Sequence, residues 1–150
     1  MTSADGAVQI GAEQRPGSTI SEESIRRLVH GFYTAVREDP LLGPVFGREI
    51  ASADWPAHLD RMCDFWSSVL LKTDRYAGRP LAPHLRLPDI SDDHFARWLT
   101  LFRHTARTCF SADCAAAVIG LAERIAHSFR LAIAFHRGES TLGIEPLPAK

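Results

Sequence analysis

The chain has 150 residues, 45% hydrophobic and 23% charged, with a formal net charge of −1 at pH 7. That is the profile of one globular domain able to bury roughly two-thirds of its unfolded surface, and it gives no case for a nucleic-acid or anionic-membrane partner. No apolar run approaches the ~20 residues of a transmembrane helix, and the N-terminus lacks the basic and apolar regions of a signal peptide, so no membrane partner and a cytoplasmic location are expected.

Residues 1–18, rich in Gly, Ala and Ser without periodicity, read as a flexible leader. Thr19-Ile-Ser-Glu22 matches a capping box, and the helix that follows carries Ile25, Leu28, Val29, Phe32, Tyr33 and Val36 on one stripe up to Asp39-Pro40. Residues 41–46, with Gly43-Pro44, read as a turn or a single helical turn. Asp54 is expected to cap a second helix with the stripe Trp55, His58, Leu59, Met62, Phe65, Trp66, Val69 and Leu70. Residues 72–90 show no sustained helical period. Ser91 caps a third helix with Phe95, Trp98, Leu99, Phe102, Ala106 and Cys109 inward. After a break at 110–113, a last helix runs over about 115–137, ended by Arg137 and Gly138, and 139–150 reads as a flexible tail. The product is an all-α domain over 19–138.

Three features carry chemistry. Prolines 80, 83 and 88 fence His84, each fixing φ and removing a donor, so the imidazole sits on a stiff connector. Such a histidine suits an axial ligand for a metal cofactor; the alternative is a loop histidine packed on the core. Tyr33, His58 and Trp98 lie on the apolar faces of three helices, where a buried hydroxyl, imidazole and indole N–H need partners. One ligand with three hydrogen-bonding groups outlines a haem pocket. Cys63, Cys109 and Cys114 form no CxxC pair, which argues against a disulfide framework or zinc knuckle, and the absence of CxxCH means that haem would be held without thioether bonds. The other five histidines fall off or beside the stripes. Glycine-rich phosphate loops, GxSxG and HExxH are absent.

In order along the chain, Phe32-Tyr33, Asp54-Trp-Pro-Ala-His58, Phe65-Trp66, Tyr76-Ala-Gly-Arg-Pro-Leu-Ala-Pro-His84-Leu-Arg-Leu-Pro88 and Phe95-Ala-Arg-Trp98 resemble the truncated haemoglobins, specifically their group III. The resemblance implies a shortened globin fold, a two-over-two helical sandwich around haem b, with His84 as the proximal iron ligand and Tyr33, His58 and Trp98 at the distal positions. Phe32, Phe46, Phe65, Leu85 and Phe102 are then expected to pack the haem, and Tyr76, Arg79 and Arg86 to reach its propionates. The paired-glycine motifs of groups I and II are missing, in agreement with group III.

The expected function is an oxygen-binding globin that also takes CO and NO, with candidate NO dioxygenase (NO-detoxifying) or peroxidase-like activity served by an unidentified reductase. The alternatives are a haem-based gas or redox sensor acting through a partner protein, and a helical module without a cofactor.

Overall fold

The computed structural model describes residues 19–87 and 89–148, so the expected leader lies outside the described residues. Among the described residues six helices follow in order: α1 Glu22–Glu38, α2 Leu42–Glu49, α3 Trp55–Leu71, α4 Leu81–Leu85, α5 Asp92–Cys109 and α6 Ala112–His136, with a 3-10 turn, Ser52–Asp54, before α3. The fold is all-α, and none of the described helices is long and apolar enough to cross a membrane.

The α1 stripe is buried as its period requires, with Ile25, Leu28 and Val36 at 0% exposure. Its cap differs from the expected one. Ser21, not Thr19, is the N-cap: its hydroxyl accepts from Ser24 N at 3.1 Å, and Ser24 Oγ accepts from Ser21 N at 2.8 Å. Glu22 is drawn away by tertiary partners, accepting from Ser67 Oγ at 2.9 Å and pairing with Arg75 at 3.3 Å.

The expected turn at 41–46 is a helix of 8 residues, Leu42–Glu49. Asp39 makes it possible: buried beside α1, its carboxylate accepts from Leu41 N at 3.1 Å and Leu42 N at 2.9 Å, satisfying orphan amides at the helix start. Arg97 of α5 donates to the same carboxylate at 2.6 Å. Burial alone would push the Asp39 carboxyl up, but its bonds from Leu42, Arg97 and Leu41 together hold it below the usual range. Pro44 falls in the first turn, where no amide is needed. Gly43 is required for space, because a Cβ there would lie 2.8 Å from the Arg37 carbonyl oxygen.

Asp54 does not cap α3 with its side chain; it sits in the 3-10 turn that leads in, and Pro56 follows in the first turn. Only Trp55 and Trp66 of the expected α3 stripe are buried; His58, Leu59, Met62, Phe65, Val69 and Leu70 stay half-buried. That face borders open space.

The proline-fenced segment holds α4, which has 5 residues. Pro83 lies within it, in the first turn, where its missing N–H would have been unsatisfied anyway. α6 begins at Ala112, three residues before the expected start, behind Ser111 as N-cap. It ends at His136 with Arg137 as C-cap, and Gly138 stands just beyond as expected, its φ +76°, with Gly138 N donating to Phe135 O at 3.0 Å and Glu139 N to Ala134 O at 2.9 Å. The segment beyond does not leave the surface: Arg130 Nη1 donates to Glu145 O at 2.7 Å, and Leu147 packs against the core.

α1 packs on α3 and on α5, and α5 packs on α6, which gives two helix pairs around one core. At its centre Phe102 stacks on Trp98 and Trp66 with centroids 5.3 and 5.1 Å away, and Phe32 meets Phe102 edge-on at 5.3 Å.

Candidate functional site

The half-buried face of α3 borders a cavity of about 360 Å³, closed by α4 and by parts of α1, α2, α5 and α6. That volume lies in the range of small-molecule and cofactor sites. Of the residues singled out from sequence, Tyr33, Phe46, His58, Phe65, Tyr76, His84, Arg86 and Trp98 line it.

His84 is the penultimate residue of α4, and its geometry is fixed by its own helix. Nδ1 lies 2.7 Å from the Pro80 carbonyl oxygen. A carbonyl only accepts, so Nδ1 carries the proton and Nε2 is left with a lone pair. The ring packs against Phe129 of α6, centroids 4.9 Å apart. Burial lowers its pKa, against the pull of the Pro80 bond, and the neutral form is the one that ligates a metal.

His58 is wedged between Tyr33 and Trp55, centroids 5.1 and 5.3 Å away and both edge-on. Its Nε2 is buried with no hydrogen-bond partner among the described residues. Burial, with Arg61 nearby, pushes its pKa down to about 4, so the ring is neutral. Tyr33 is 6% exposed, and burial pushes its phenol up, so it keeps its proton. Neither the Tyr33 hydroxyl nor the Trp98 indole N–H finds a hydrogen-bond partner among the described residues. Three polar groups of α1, α3 and α5 thus border one cavity, and the His58 nitrogen, sealed from solvent without a partner among the described residues, is costly unless a guest satisfies it.

Four expected cofactor contacts do not border the cavity. Phe32 and Phe102 belong to the aromatic core behind it: Phe32 precedes Tyr33 by one helical step, about 100° of rotation, so both cannot face the same space. Leu85 is turned from His84 by the same step and packs on the core. Arg79 is exposed before α4, outside the lining.

Other lining residues were not read as site residues. Met62 sits on the expected stripe of α3, and Ile125 and Phe129, four residues apart on one face of α6, line the slot with it. His94, set aside as off-stripe, is the N3 residue of α5, where its Nδ1 accepts from Ser91 N at 3.1 Å, and it also borders the cavity. Arg61, Arg86 and Glu49 are exposed lining residues and mark the mouth.

Among the described residues no group of three or more His, Cys, Asp and Glu side chains is placed to hold a metal ion. A single fixed imidazole in an apolar slot fits a metal that arrives with its own planar ligands, as in haem. No cysteine lines the slot. The unpartnered Nε2 of His58 fits a polar ligand on such a metal.

No family model matches the chain. It is 35% identical over 114 residues to a group 3 truncated haemoglobin of Campylobacter jejuni, covering 75% of this chain and 90% of that one. The crystal structure of a group III truncated haemoglobin from Campylobacter jejuni superposes with a TM-score of 0.76 at 32% identity, covering 79% of this chain and 95% of the other.

Proposed function

The chain belongs to the group III truncated haemoglobins, and from that premise we propose that it holds haem b noncovalently on His84 and binds a diatomic gas, O₂ first and also CO and NO, beside Tyr33, His58 and Trp98. The observation that carries this reading is the pairing of one histidine whose Nδ1 is committed to Pro80 O with another whose Nε2 is buried and unpartnered in the same cavity. When bound, the haem would supply an iron that His84 would hold and that would take up the gas.

The chain's own residues then divide the work. The Pro80 carbonyl fixes the His84 tautomer and raises the basicity of Nε2, the usual part of a carbonyl behind a ligating imidazole. Phe46, Phe65 and Phe129 give the slot apolar walls that exclude water. Arg61 and Arg86 supply positive charge at the mouth, where the carboxylates of a bound haem would be held. Tyr33 and Trp98 donate to a polarised guest, and neutral His58 offers a third contact.

Hydrogen bonds to charged groups contribute ~1.5–3 kcal/mol each, about one to two decades in dissociation rate. Two donors of that strength give slow O₂ release, which suits chemistry on the gas, such as NO detoxification or a peroxidase-like reaction, better than bulk carriage. The test is an absorption titration of the purified chain with haemin. A sharp Soret band saturating at one equivalent supports the reading; only the broad spectrum of free or nonspecifically bound haem contradicts it.

A further inference from the structure

His84 sits in a helix of 5 residues, which is too short to hold its own shape. The end of α4 is closed by two long backbone bonds, Arg86 N to Pro83 O at 3.3 Å and Leu87 N to His84 O at 3.2 Å. What keeps α4 in place therefore comes from outside it, and α6 supplies two points. Phe129 packs on the His84 ring, centroids 4.9 Å apart. Eight residues further along α6, about 12 Å by the helical rise, the C-cap residue Arg137 reaches back over the connector that follows α4.

There Arg137 Nη2 donates to Leu87 O at 3.0 Å and to Ile90 O at 3.0 Å. The two carbonyls belong to residues on either side of Pro88, which brings no N–H of its own. Leu87 is thus bonded in both directions: its N–H donates to the carbonyl of His84, and its own carbonyl accepts from Arg137. The bond to Ile90 is partly shielded from water, where it is worth more than on an open surface. A guanidinium is a rigid planar fork, so it fixes the place of the carbonyls it holds. Arg137 does not line the cavity, whereas Leu87 and His84 do. Any effect of Arg137 on a guest therefore passes through the backbone of α4.

We propose that Arg137 is a positioning residue for His84: by clamping Leu87 and Ile90 it fixes the open end of α4, and with it the angle at which the imidazole meets the iron. This rests on the haem reading above.

The test compares wild type with Arg137→Ala, both loaded with haem, in three measurements. Hydrogen exchange at the Arg86 and Leu87 amides, the two that close α4, is expected to run about tenfold faster in the variant, the effect of one hydrogen bond to a charged group. The iron–imidazole stretching band of the ferrous, gas-free protein is expected to broaden and fall in frequency. The C–O stretching band of the carbon monoxide complex reads the opposite side of the slot, Tyr33, His58 and Trp98, and is expected to stay where it is. A guanidinium that merely stabilises the fold would leave the iron–imidazole band unmoved or disturb both bands together, and either result overturns the proposal. Exchange at the wild-type rate shows that nothing was clamped and overturns it as well. A wild-type chain that takes up no haem overturns the cofactor reading and this inference together. Normal loading of both proteins with an unmoved iron–imidazole band overturns this inference alone.

Discussion

Of the three histidines that border the cavity, His84 and His58 have their second nitrogens treated in opposite ways. His84 has Nδ1 committed to the Pro80 carbonyl at 2.7 Å inside a five-residue helix. His58 is held by rings instead, between Tyr33 and Trp55, and its buried Nε2 has no partner among the described residues. A hydrogen bond to the backbone presets a ring for one invariant job, whereas an aromatic wedge holds position and leaves Nε2 unpartnered among the described residues. The α4 side of the pocket is built as a fixed ligand. The α1, α3 and α5 side waits for a guest.

The most severe break of that contrast is His84→Gly. The variant is expected to lose haem, or to retain it only with added imidazole, as measured by haem content after gel filtration. Next comes the guest's effect on the whole fold. Haem that binds only the native state at a thousandfold excess over its Kd adds ~4 kcal/mol, on the order of 10 °C in Tm for a chain of this size. Calorimetry of apo and loaded protein checks it, and equal melting temperatures would exclude the pocket.

On the waiting side the effects are smaller. Tyr33→Phe removes only the hydroxyl oxygen and is expected to speed O₂ release by about ten- to a hundredfold, read by stopped flow. Unchanged release would take the phenol out of the ligand's reach. The smallest effect concerns His58 in the apoprotein. Its pKa of about 4 lies below the ordinary 6.5, so between those values the unfolded chain binds a proton that the folded chain does not. The stability due to the neutral ring is complete above 6.5 and is lost as pH falls toward about 4. His58→Leu is expected to flatten that part of the urea-midpoint profile relative to wild type, and superimposable slopes would show the ring titrating normally.

Much of the fold was legible because α1, α5 and α6 bury regular stripes. What escaped depends on tertiary partners. Leu42–Glu49 looks like a turn because Gly43-Pro44 breaks helices locally, yet Asp39, held by Arg97 from 58 residues away, caps it. Glu22 fits a capping box on spacing, but Ser67 and Arg75 take its carboxylate. In the site, His84, Tyr33, His58 and Trp98 were legible as polar groups on apolar faces or behind proline locks. Phe129 and Ile125 were not, because a residue lining an apolar slot has the same period as one packed in the core. The resemblance puts Phe32 and Phe102 at the slot, whereas the helical rotation from Tyr33 and the stack under Trp98 set them behind it.

The central claim is that the Pro80-bonded imidazole of His84 is the protein's ligand to haem iron. Resonance Raman spectroscopy of the ferrous, gas-free protein tests it most directly through the iron–imidazole stretching band. The band is expected in the wild-type chain, absent from His84→Gly, and restored when imidazole is added to that variant. A band that persists in His84→Gly without added imidazole would contradict the claim and assign the iron to another histidine.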